Sequence, residues 1–84
     1  MVINELVTES INQGALRAHV KIHTVDSEIK FTYEVNIPST WLEKAPITCD
    51  VLNTATQNNW TVTNSASGCI VTGLIHKPKA LNSN

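Results

Sequence analysis

Two histidines, His19 and His23, stand at a spacing that would present both imidazoles to one zinc ion on a helix. The residues between and around them indicate a strand instead. Arg17-Ala18-His19-Val20-Lys21-Ile22-His23-Thr24 alternates polar with small or apolar side chains, the pattern of a half-buried β-strand. On a strand the two imidazoles lie ~13 Å apart, too far to share an ion. No metal and no cofactor is expected, and the histidines read as exposed sheet residues.

The same alternation gathers Arg17, His19, Lys21, His23 and Lys30 on one face. A basic sheet face can contact phosphates or an acidic protein surface. No aromatic residue shares that face to stack on a base, and Glu28 and Glu34 interrupt the positive charge. A protein partner is therefore favoured over nucleic acid, with a plain solvated face as the bland alternative.

Cys49 and Cys69 lie far apart in the sequence, unlike a paired metal or redox motif, and read as free thiols. A catalytic thiol needs an adjacent histidine or another activating cation, and nothing local supplies one. There is no phosphate-binding glycine loop, nucleophile elbow or paired-carboxylate motif. The chain reads as non-enzymatic. Trp41 and Trp60 read first as core plugs. Trp41, in an irregular segment after Pro38, is expected to be the more exposed and joins the candidate partner surface.

These residues must be positioned by a small scaffold. After a turn at Asp26-Ser27 the alternation resumes as Ile29-Lys30-Phe31-Thr32-Tyr33-Glu34-Val35-Asn36-Ile37. A two-residue turn pairs Val25 with Glu28, Ile22 with Phe31, Val20 with Tyr33 and Ala18 with Val35. A one-residue slip would set Phe31 beside a charged residue, so the buried face fixes the register. The turn lacks glycine, and a four-residue loop of the same parity serves equally. Phe31, Tyr33, Ile22 and Val20 are expected to be buried.

Before the hairpin, Val2 to Gln13 carries Ile3, Leu6, Val7, Ser10 and Ile11 on one helical stripe and ends at Gly14. After it, Pro38 stops the strand, and Ser39 or Thr40 can open a short helical turn through Lys44. Pro46 fits the first turn of a second helix reaching about Asn58. Its stripe is Ile47, Val51, Leu52 and Ala55 with Thr48, and Cys49 falls off it. Trp60-Thr61-Val62-Thr63 and Cys69 to His76 read as two further strands around a turn cluster at Asn64–Gly68.

The order helix-strand-strand-helix-strand-strand predicts an α+β two-layer sandwich, a four-stranded antiparallel sheet with both helices on one face. Residues 1–76 form the domain and 77–84 a loose C-terminal tail. The fourth strand is apolar on both faces: Cys69, Val71 and Ile75 on one, Ile70 and Leu74 on the other, flanking Thr72. One layer of helices covers only one face. A second copy docking on Ile70, Thr72 and Leu74 would cover the other, as would the tail folded back.

Net charge is −1, so no whole-molecule field draws the chain to nucleic acid or an anionic membrane. With 42% hydrophobic and 15% charged residues the composition is globular. No apolar run approaches a membrane span, and Met1–Leu6 has no basic region before an apolar core. A cytoplasmic, non-membrane protein is expected. Taken together, the sequence suggests a small macromolecule-binding or interaction protein, acting as a homodimer. A nucleic-acid-binding protein using the basic hairpin face is the alternative. So is an inhibitor of a larger complex, of the kind mobile elements carry.

Overall fold

A computed structural model describes residues 2–76. The expected tail, 77–84, lies outside the described residues. Helix α1 (Val2–Asn12) leads into strands β1 (Ala18–Val25) and β2 (Glu28–Val35). A 3-10 turn (Ser39–Lys44) and helix α2 (Pro46–Thr56) follow, then strands β3 (Trp60–Ser65) and β4 (Gly68–His76). The four strands form one antiparallel sheet in the order β1-β2-β4-β3, with the two helices packed against it.

The hairpin has the expected register, from Ala18 opposite Val35 to Val25 opposite Glu28. The two-residue turn closes without glycine because Asp26 takes φ 50. A short polar side chain tolerates this left-handed conformation better than most. Helix α1 stops at Gly14, whose φ is 106. Gly14 N–H donates to the Ile11 carbonyl at 3.0 Å and Ala15 N–H to Ser10 at 2.9 Å, a Schellman closure. Helix α2 ends similarly, but on Gln57 and Asn58, both at positive φ; Asn58 N–H donates to Asn53 at 2.9 Å.

The core joins Leu6, Phe31, Tyr33, Val35, Trp41, Leu42, Leu52, Cys69 and Val71. Both helices are rotated from their expected stripes. Val2, Leu6 and Ser10 are the buried line of α1, and Ile11 is 57% exposed. Thr48, Leu52 and Thr56 are the buried line of α2, and Ile47 is 71% exposed. Hydroxyls can occupy these lines because each has a partner. Thr48 Oγ1 donates to Glu5 Oε2 at 2.8 Å, tying the helices together, and Thr56 Oγ1 to the Leu52 carbonyl at 2.6 Å. Cys49, expected off the stripe, is half-buried against the core, and its Sγ donates to the Leu42 carbonyl at 3.4 Å.

Two strand glycines make room for close approach. A Cβ at Gly73 would strike the Phe31 ring. Gly68, expected in the turn cluster, opens β4 opposite Ser65, and a Cβ there would collide with the Val35 carbonyl oxygen.

Two burial expectations fail. Ile22 is 60% exposed and Val20 only half-buried, although both point to the helix side. The reason is placement: β1 is an edge strand bonded only to β2, so Val20 packs at the margin of the core and Ile22 lies outside it. Trp41, expected to be the more exposed of the two tryptophans, is 3% exposed, while Trp60 is half-buried. The 3-10 turn after Pro38 folds back on β3, β4 and α2, so the indole closes one end of the core.

Candidate functional site

The helix-free face of the sheet is the candidate site. Strand parity puts odd residues of β1 and even residues of β2 on it, along with odd residues of β3 and even residues of β4. The pairings then read across the face as rows. His19 lies beside Glu34, Ile70 and Thr63; Lys21 beside Thr32, Thr72 and Thr61; His23 beside Lys30 and Leu74.

Arg17, His19, Lys21, His23 and Lys30 are all exposed on this face, as the alternation predicts. Arg17 is anchored just ahead of β1. Its N–H and that of Leu16 donate to Asn36 Oδ1 at 3.0 and 2.9 Å, while Asn36 N–H returns to the Arg17 carbonyl at 3.3 Å. Two shallow depressions run along this strip. Arg17, His19 and Glu34 wall one; Lys21, His23 and Lys30 wall the other. Trp41 is not part of it.

Ile70, Thr72 and Leu74 also lie on this face, on an inner strand, but neighbouring side chains half-bury each of them. The face therefore divides. The β1 side, with Lys30, is cationic; the β4–β3 side is a neutral strip of threonines with two aliphatic residues. Thr61 and Thr63 join the strip through the β3–β4 hairpin, which closes at Ala66–Ser67. At the far end His76 Nδ1 stands 3.6 Å from Glu28 Oε2, an exposed pair.

All four aromatic residues are on the other side. Phe31, Tyr33 and Trp41 are buried, and Trp60 Nε1 donates to Asn53 Oδ1 of α2 at 2.7 Å. Most acids are there too: Glu5, Glu9, Glu43 and Asp50 sit on helical segments, whereas Asp26, Glu28 and Glu34 belong to the hairpin.

The thiols are free, and their surroundings disfavour thiolate. Burial pushes the Cys69 thiol up, offset in part by the Trp41 indole. That buried Nε1–H has no hydrogen-bond partner among the described residues. Burial, and then the Asp50 charge, push the Cys49 thiol up. Neither has the depressed value of an activated nucleophile. Among the described residues no cluster of three His, Cys, Asp or Glu could hold a metal ion, and no helix is long and apolar enough to cross a membrane.

No protein-family model, curated protein or solved structure matches this chain.

Proposed function

We propose that the domain is a non-enzymatic, cytoplasmic interaction module. It docks a negatively charged protein surface on the cationic half of its open sheet face. The carrying observation is the segregation of side chains between the two faces. Arg17, Lys21 and Lys30 project from the open face with His19 and His23, outnumbering Glu28 and Glu34 there, while the four acids Glu5, Glu9, Glu43 and Asp50 lie on helical segments. A molecule of net charge −1 thus offers a locally positive strip that can orient an acidic partner. With every aromatic residue turned to the helix side, that strip has no stacking platform for bases, which favours protein over nucleic acid. Two copies meet over the neutral half, centred on Ile70, Thr72 and Leu74, which no helix covers.

Binding of a poly-glutamate chain and of a single-stranded oligonucleotide of equal charge, at physiological salt, tests the reading. The acidic polypeptide is expected to bind the protein, and a Lys21→Glu, Lys30→Glu double variant to lose it. Preferential binding of the oligonucleotide would overturn the reading.

A further inference from the structure

We infer that the free edge of β1 receives an extended segment of the partner by strand addition, and that this segment alternates acidic with apolar residues. The inference rests on the acidic-partner reading above and deepens it.

The hydrogen bond from Asn36 N–H to the Arg17 carbonyl marks Arg17 as a residue whose backbone groups face β2's line. Bonded and non-bonded pairs alternate along an antiparallel ladder, so the odd residues of β1 bond β2. The even residues, Ala18, Val20, Ile22 and Thr24, then direct N–H and C=O off the edge. The opposite edge is less open. Ser39 N–H, at the start of the 3-10 turn, donates to Asn64 Oδ1 of β3 at 2.9 Å, and the turn packs along that strand.

Side chains specify the occupant. Any strand added to β1 places alternate residues beside its two faces. On one face they meet His19, Lys21 and His23; on the other they meet half-buried Val20 and Ile22, which is 60% exposed. Acidic residues suit the first and apolar residues the second. A second copy does not fit. Pairing two β1 strands face to like face sets cation against cation, and the inverted pairing sets Lys21 among aliphatic side chains. Within β1 there is no proline and no inward-pointing charge to block an incoming strand. Asp26 and Glu28, at the hairpin turn, and Glu34, beside His19, confine the acidic contacts to Arg17, Lys21 and His23.

The test titrates isotope-labelled protein with a seven-residue peptide alternating glutamate and valine. The amides of Val20, Ile22 and Thr24 are expected to shift and gain protection from hydrogen exchange, and a lysine–valine peptide to leave them unchanged. Lys21→Glu, at an exposed site, is expected to weaken the acidic peptide at least about tenfold. Methylating alternate peptide amides blocks backbone pairing but keeps every side chain, and is expected to abolish the edge signature. If the acidic peptide perturbs Lys30, Thr32 and Thr72 while the edge amides keep exchanging, strand addition is overturned and the acidic-partner reading survives. If neither peptide binds, both are overturned. If the protein alone protects these amides in a concentration-dependent way, a second copy holds the edge and the acidic segment is excluded.

Discussion

Ser10 shows how a single side chain carries both structure and a testable asymmetry. Its hydroxyl lies 2.7 Å from the Tyr33 hydroxyl in a buried contact where either group can donate, and 3.2 Å from the Val7 carbonyl, to which it can donate as well. Removing the tyrosine hydroxyl leaves Ser10 with a partner; removing the serine strands a buried phenol. Ser10→Ala is therefore expected to cost about 1–3 kcal/mol, and Tyr33→Phe about 0.5–1.5 kcal/mol. Urea unfolding of both variants checks the order. The same burial sets a pH limit. Desolvation raises the Tyr33 phenol, with Ser10 offsetting it, and raises the Cys69 and Cys49 thiols. All three hold their protons longer in the folded chain. Above the ordinary thiol range the unfolded chain binds fewer protons, so unfolding becomes easier as pH rises. Stability is expected to be level up to about pH 8.5 and then to fall through the raised values, by at most ~1.4 kcal/mol per pH unit for each group. A melting series from pH 7 to 11 measures this. A melting temperature that climbs across the range would contradict it.

At the scale of the element, the hairpin contains two strands with unequal burdens. Phe31 and Ile22 are direct cross-strand neighbours on the same face, yet Phe31 is 1% exposed and Ile22 60%. Phe31 is a member of the core, and Ile22 lies outside it. Phe31→Ala is expected to cost about 3–5 kcal/mol, enough to unfold a marginal small domain. Ile22→Ser is expected to stay within about 1 kcal/mol, because its side chain is already largely in water. Equal losses in thermal melts would mean that β1 is covered in solution. The helices follow a similar logic. Their buried lines run through Ser10, Thr48 and Thr56 because each hydroxyl finds an acceptor, which leaves Ile11 and Ile47 outside.

For the molecule as a whole, the open question is what meets the neutral half of the sheet. Ile70 and Leu74 interrupt a threonine strip on an inner strand, where a second copy could bury them. A stable interface needs roughly 1,200 Å² in total, so it would extend past β4 onto β3 and Thr32. Sedimentation at micromolar concentration is expected to show a dimer, with Leu74→Lys shifted to monomer. A monomeric wild type would remove the second copy and leave this strip to another partner. Leu74 is only half-buried within one chain, so the lysine variant is expected to remain folded, as circular dichroism would confirm.

Much of this fold is written locally. Alternation from Arg17 to Ile37 allows one pairing that keeps Phe31 and Tyr33 away from Lys21 and His23, and the structure has that pairing. Gly14 ends α1 because a left-handed residue is needed there. The five cationic and imidazole side chains of the candidate site were legible for the same reason: period-two alternation assigns a face without knowledge of the rest of the chain. The other features depend on contacts between distant segments. The order β1-β2-β4-β3, which sets Ile70, Thr72 and Leu74 beside Glu34, Thr32 and Lys30 and leaves β1 with a bare edge, comes from the long-range pairing of β2 with β4. Trp41 is buried because the turn after Pro38 folds onto strands formed much later in the chain. Ile22 is exposed because β1 became an edge strand and this residue lies outside the core. Periodicity specifies which way a side chain points; only packing decides whether anything lies there to cover it.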